Sequence, residues 1–257
     1  MEKFICNGKL NLYLYVLNKR ADGYHEIESL MSEIEYGDEL FIDINRDKDE
    51  LYCSDSSLLS DNLVARAVDL LRSIRDFPPC KIILNKFIPI ASGMGGGSSD
   101  AANTILALNS LYDLKLSRDE IFNIAKSLGM DVSFFIDGGI QLATGRGEIL
   151  ERLEAISCVK KDVLIVYREP SFSSNIYSWL LPEDFGRENY NSLLKPVLRN
   201  NKQLAKFYRE LFELDSNFKM TGAGGAFFLF GDYDYLDEIK SMVDAPFKII
   251  TKAYSRS

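Results

Sequence analysis

Gly93, Gly95, Gly96 and Gly97 put four glycines into five positions, and the chain then runs through Ser98, Ser99 and Asp100 straight into Ala101-Ala102-Asn103-Thr104-Ile105-Leu106-Ala107-Leu108. Glycine has no Cβ, so such a loop adopts positive φ readily and lets another group approach its amides closely. The stretch behind it is built of good helix formers and reads as a helix, with Ser98, Ser99 or Asp100 as its expected cap. A helix N-terminus offers unpaired N–H groups and the positive end of the helix dipole, and together these make an anion site. Phosphate is the natural guest. A glycine cluster by itself is also what a flexible loop or a close helix–strand contact uses. The strand expected at Cys80–Leu84, the helix behind and the Ser-Ser-Asp turn together favour phosphate.

The common phosphate loops do not fit. A Walker A loop needs lysine after its last glycine, and Gly97 is followed by Ser98. The dinucleotide fingerprint read from Gly93 and Gly95 needs glycine or alanine at position 98, and a helix follows where its acidic strand end belongs. The HRD and DFG sets of protein kinases do not occur.

Around this loop the pattern is mixed. Leu10, Leu12, Leu14 and Val16 alternate with Lys9, Asn11, Tyr13 and Tyr15, the period of a half-buried strand, which turns Lys9 and Asn11 together away from the core. Arg20-Ala21-Asp22-Gly23 reads as a turn, and strands are expected at His25–Ile34 and Glu39–Ile44. Asp61 is the expected cap of a helix carrying Leu63, Val64, Ala67, Leu70, Leu71 and Ile74, stopped by Pro78-Pro79. Ser117 to Glu120 is a capping box opening a helix that ends at Gly129, two residues before Asp131. The second half reads as strand at Asp162–Tyr167, helix at Gln203–Leu214, strand at Ala226–Phe230, helix at Tyr235–Val243 and strand at Phe247–Thr251. This places the chain in the α+β class, with two domains, 1–155 and 156–257.

Composition narrows the function. The 257 residues are 46% apolar and include 16 Phe and 13 Tyr, so the chain can bury a full core and is not disordered. A net charge of −8 offers no broad basic footprint for nucleic acid. The longest apolar run, Leu12–Leu17, is far short of a membrane span, and Met1-Glu2-Lys3-Phe4 opens no signal peptide. A cytoplasmic protein without nucleic-acid or membrane partners is expected. Cys6, Cys53, Cys80 and Cys158 lie far apart with no CxxC pair, which supports buried thiols over a disulfide framework or a zinc site. His25 is the single histidine.

Pro89-Ile90-Ala91-Ser92-Gly93-Met94-Gly95-Gly96-Gly97-Ser98-Ser99 resembles the phosphate loop of the GHMP kinases. Lys9-Leu10-Asn11-Leu12 and Arg20-Ala21-Asp22-Gly23-Tyr24-His25-Glu26 resemble one branch of that family, the 4-diphosphocytidyl-2-C-methyl-D-erythritol kinases of non-mevalonate isoprenoid synthesis. Asp61-Asn62-Leu63 with Arg66-Ala67, Gly129-Met130-Asp131-Val132 with Phe134-Phe135, and Gly145-Arg146-Gly147-Glu148 look like the same branch, in the same order. Thr221-Gly222-Ala223-Gly224-Gly225 resembles the third glycine motif, although Ala223 and Gly225 stand where hydroxyl or small residues are common. The resemblance is dense over the first 150 residues, thin between about 155 and 215, and then resumes.

The resemblance implies a two-lobed fold, an N-terminal ATP-binding lobe and a C-terminal ferredoxin-like lobe with the active cleft between them. It implies phosphoryl transfer from ATP to the 2-hydroxyl of a cytidine diphosphate-linked methylerythritol, with Mg²⁺ whose ligands it does not assign. Asp131 matches the catalytic aspartate and Lys9 the lysine beside it; read alone, these are a helix cap and a solvated strand lysine. Residues 89–99 match the ATP loop, in which Ser98 or Ser99 approaches phosphate or metal. Tyr24 and His25 match the cytidine-binding pair, Tyr177 the opposite stacking wall, and Asn11 a substrate hydrogen bond; a core tyrosine and a surface histidine are the plain alternatives. Another GHMP kinase acting on mevalonate, homoserine or a sugar, and a non-catalytic nucleotide sensor, are the alternative functions.

Overall fold

A computed structural model describes residues 1–44, 47–153, 158–171 and 173–256. The elements are β1 (Glu2–Lys19), β2 (His25–Ile44), β3 (Glu50–Cys53), α1 (Leu63–Ile74), β4 (Cys80–Asn85), α2 (Gly96–Leu111), α3 (Arg118–Leu128), α4 (Met130–Asp137), β5 (Ile140–Gly145), β6 (Ile149–Arg152), β7 (Cys158–Tyr167), α5 (Ser173–Ser178), α6 (Leu194–Asn200), α7 (Lys202–Leu214), β8 (Lys219–Met220), β9 (Ala226–Phe230), α8 (Tyr233–Met242) and β10 (Phe247–Arg256). The α+β class follows. The two strands expected at 25–34 and 39–44 are one continuous strand, because Glu35-Tyr36-Gly37-Asp38 keeps the extended backbone rather than turning.

The chain forms two compact units, and neither is one continuous stretch, because β1 and β2 each contribute to both. The expected boundary at 155/156 lies outside the described residues. The described stretches on either side of it, 139–153 and 158–256, belong to the same unit.

The first unit comprises Met1–Gly8, Tyr36–Ile88 and Gly95–Gly138. Here the end of β2 pairs antiparallel with β4, Leu40 opposite Leu84 and Ile42 opposite Ile82, and β3 runs parallel to β4. Strand β4 alternates, burying Cys80, Ile82 and Leu84. Helix α1 packs on α2, and α2 on α3 and α4. Val64, Leu71, Ile105, Leu108 and Phe134 are fully buried. The cap of α1 is Asn62 rather than Asp61: its side chain accepts from Val64 N at 2.9 Å, and the helix begins one residue later than the sequence suggests. Asn62→Ala is expected to lower unfolding stability by about 1 kcal/mol, read as a lower urea midpoint at unchanged slope.

The second unit comprises Lys9–Glu35, Pro89–Met94 and Gly139–Ser257. Strand β10 pairs antiparallel with β7 along its length, Phe247 opposite Tyr167 and Ile250 opposite Leu164, and β7 pairs on with β9 and β9 with β8. The start of β2 pairs with β5, and β5 with β6. Helix α7 buries Leu204, Phe207 and Leu211 along one stripe, the spacing of an amphipathic helix. That stripe shares a core with Leu164, Val166, Phe227, Leu229, Leu236 and Ile239.

Candidate active site

In the first unit, α2 starts from a glycine cap. Gly95 has φ 72° and ψ 22°, the left-handed region, and no side chain caps the helix. Ser98, Ser99 and Asp100 are therefore not caps; they lie inside the helix, with Asp100 beyond its first turn. Ser99 N is the first amide to reach an acceptor in the helix, Gly95 O at 2.9 Å. The N–H groups of Gly96, Gly97 and Ser98 precede it and have no partner within the helix. A serine or aspartate cap would occupy such donors, whereas a left-handed glycine leaves them to an anion.

In the second unit, the leading half of the loop rests on the third glycine motif. Ser92 O accepts from Ala226 N at 3.0 Å, and Ala91 O accepts from Ser171 N at 3.0 Å. Gly93 has φ 85°, and a Cβ there would stand 2.5 Å from Thr221 O, so only glycine permits this approach. Residues 221–225 thus form the bed of 91–93. Thr221 Oγ1 accepts from Asn11 N at 2.9 Å, and Ala223 contributes its carbonyl to Ser171 Oγ at 3.0 Å. No hydroxyl at 223 or 225 is needed for that task.

Lys9 and Asn11 do not face away from a core: each is 3% exposed. The second face of β1 is covered at this point, because Lys9 N bonds Met94 O at 2.9 Å and Asn11 N bonds Thr221 Oγ1. Lys9 Nζ donates to Asn11 Oδ1 at 2.5 Å, and Asn11 Nδ2 donates to Ser29 Oγ at 2.7 Å. A lysine this deeply enclosed needs a polar task to offset its desolvation.

Asp131 is the second residue of α4 in the first unit, where a negative charge is favoured by the helix dipole. Gly129 holds the cap position and no side chain caps α4, so Asp131 is not the cap that the residue alone suggests.

Residues 20–26 fold back on themselves at the β1–β2 turn. Arg20 N bonds Tyr24 O at 2.8 Å, Tyr24 N bonds Asp22 Oδ1 at 3.1 Å, and Arg20 bridges Asp22 and Glu26. The turn leaves Tyr24 56% exposed and lays His25 against Tyr177, ring centroids 5.6 Å apart. Burial, with Lys19 second, lowers the pKa of His25, so its imidazole is neutral at pH 7.

Residues 62–139 match the family described as GHMP kinases N terminal domain. Over 152 residues the chain is 46% identical to the 4-diphosphocytidyl-2-C-methyl-D-erythritol kinase of Prochlorococcus marinus (strain AS9601), covering 58% of this chain and 49% of that relative. The chain therefore spans about half the length of the curated relatives represented by this match. A crystal structure of 4-(cytidine 5'-diphospho)-2C-methyl-D-erythritol kinase superposes with a TM-score of 0.86 at 27% identity, over 99% of this chain and 100% of that one. Over 263 residues the chain is 32% identical to the 4-diphosphocytidyl-2-C-methyl-D-erythritol kinase of Francisella tularensis subsp. tularensis (strain WY96-3418), 95% of this chain and 93% of the relative. The chain belongs to the 4-diphosphocytidyl-2-C-methyl-D-erythritol kinase family.

Two side chains at the aromatic end of this family member were not singled out by the sequence. Phe185 meets His25 edge-on at 5.9 Å, and the Arg146 guanidinium lies 4.8 Å from the Tyr24 ring centroid. Arg146 stands in a stretch that carries the kinase-family resemblance, so its motif was visible and its partner was not. Phe185 lies where the resemblance is thin. Among the described residues no group of three or more His, Cys, Asp or Glu is placed to hold a metal ion. No helix among them is long and apolar enough to cross a membrane.

Proposed function

We propose that the chain transfers the γ-phosphoryl group of ATP to the 2-hydroxyl of 4-diphosphocytidyl-2-C-methyl-D-erythritol, giving the 2-phosphate and ADP. The observation that carries this reading is the first turn of α2, whose leading N–H groups are left to an anion by a left-handed glycine cap. In it, residues 89–99 hold the triphosphate, the amides near Gly96, Gly97 and Ser98 nearest the charge that develops. The Asp131 carboxylate accepts the proton as the substrate oxygen bonds to the γ-phosphorus and the bond to the β–γ bridging oxygen breaks. Lys9 stabilises the developing alkoxide, and Asn11 fixes its ammonium. Mg²⁺ supplies charge neutralisation on the phosphates when bound. It prefers hard oxygen donors and takes few from the protein, which the Ser98 hydroxyl at the head of α2 fits.

Tyr24, His25 and Tyr177 take the cytidine end, the rings stacking on the pyrimidine and the neutral imidazole bonding its edge. Cys6, Cys53 and Cys80 are free thiols, in keeping with a reducing cytoplasm. The test is ADP release with ATP and Mg²⁺ against the cytidine diphosphate methylerythritol, mevalonate, homoserine and galactose. Turnover confined to the first acceptor, and inhibited by CDP, is the expected result. Turnover with any of the others, or with none, overturns the reading.

A further inference from the structure

Gly145-Arg146-Gly147-Glu148 joins β5 to β6, and the antiparallel pairing of β5 with β2 sets Gly145 opposite Ile27. That register brings the 145–148 turn beside the 20–26 turn, both within the second unit. Gly145 stands at φ 70°, and Gly147 N bonds Thr144 O at 3.1 Å, which makes the connection tight. Glu148 folds back over it: its Oε2 accepts from Arg146 N at 2.5 Å, and its Oε1 lies 3.5 Å from Arg146 Nε. The guanidinium so held lies over the Tyr24 ring, 4.8 Å from the centroid. Asp22, whose carboxylate accepts from Tyr24 N at 3.1 Å, is within electrostatic reach of the same Arg146.

An exposed tyrosine gives up rotamer freedom when it stacks on a ligand, and that loss weakens binding. A cation over a ring face is drawn to the ring quadrupole, and arginine adds a flat surface that an ammonium lacks. We propose that Arg146 is a positioning residue: braced by Glu148, it holds the Tyr24 ring in the orientation that receives the pyrimidine. The inference rests on the cytidine reading above and gives a task to a side chain which that reading leaves unused. With 56% of Tyr24 still exposed, surface remains on the residue for a second flat group. Arg146 is poorly suited to gripping the substrate diphosphate itself, because Glu148 and Asp22 already offset its charge.

Arg146→Ala is expected to raise the KM for the cytidine diphosphate methylerythritol and the inhibition constant of CDP about three- to tenfold. Turnover and ADP affinity should stay within about twofold, since the ring acts on binding and not on the chemical step. Arg146→Lys keeps the cation without the planar fork and should fall between parent and Ala. Glu148 is partly exposed and keeps the residue 146 amide as a donor, so neither variant strands a buried charge. The urea midpoints check that both fold, and should Arg146→Ala not fold, Arg146→Lys carries the same comparisons.

The deciding experiment is a double-mutant cycle read as CDP inhibition, with Tyr24→Leu as the second substitution. Leucine has no ring for the guanidinium to hold, so adding Arg146→Ala to Tyr24→Leu should change CDP inhibition by no more than about twofold. A loss that persists undiminished in the Tyr24→Leu background overturns the proposal, because Arg146 then touches substrate directly. A loss that extends to ADP affinity, or falls in kcat, overturns it as well, since the arginine then supports the fold at large. A parent that CDP does not inhibit contradicts the cytidine reading and takes this inference with it. A parent inhibited by CDP, beside an Arg146→Ala variant inhibited equally, contradicts this inference alone.

Discussion

Replacing Asp131 by Asn lowers turnover by about 10²–10⁴-fold and leaves ADP affinity within about threefold. Asparagine has the shape of aspartate, and its amide fits the N-terminal turn of α4, whose cap is Gly129. The substitution therefore spares the fold and removes the group to which the proposed mechanism gives the hydroxyl proton. The loss belongs in kcat, because the proton moves in the transition state and not on binding. Steady-state kinetics with the cytidine diphosphate methylerythritol, beside calorimetric ADP binding, separates the two. Undiminished turnover takes Asp131 out of the mechanism, and a loss confined to KM makes it a binding residue.

Gly93→Ala has the second large effect. The residue lies at φ 85°, where an L side chain costs about 1–2 kcal/mol, and its Cβ would stand 2.5 Å from the Thr221 carbonyl. That oxygen is backbone, held on a loop that Asn11 and Ser171 also bond, so it has little freedom to give. Unfolding stability is expected to fall by about 2–4 kcal/mol, and ADP affinity by at least about tenfold as 91–93 lifts from its bed. Gly97→Ala is the control. Its Cβ meets only Leu63 Cδ1 at 3.9 Å, and within a helix alanine is favoured over glycine, so stability should hold or rise. Equal stabilities for the two variants would show that 221–225 does not support the loop.

Periodicity exposed most of the elements, because their patterns are local. The α3 capping box from Ser117 to Glu120 and the buried stripe of α7 are written in adjacent residues. What stayed hidden depends on partners distant in sequence. Lys9 and Asn11 read as the wet face of a strand, since nothing near residue 10 announces that Met94 and Thr221 cover it. Polar caps are the usual solution, so Ser98, Ser99 or Asp100 is the cap that the sequence suggests for α2; the helix instead starts from Gly95, with no side-chain cap. Asp100 then emerges as one corner of an ion cluster whose other members lie at 38 and 86. The resemblance offers Tyr177 as a stacking wall opposite Tyr24 and His25; its ring lies against that of His25, and Phe185 beside them carries no motif.

The most direct test of the central claim follows the backbone amides at the head of α2 by NMR, as a non-hydrolysable ATP analogue is titrated into the ¹⁵N-labelled chain. The account predicts that the amides of Gly95, Gly96, Gly97 and Ser98 shift the most, saturably, and with the same dissociation constant as calorimetry. Saturable binding that leaves those four amides unmoved while others shift would contradict it.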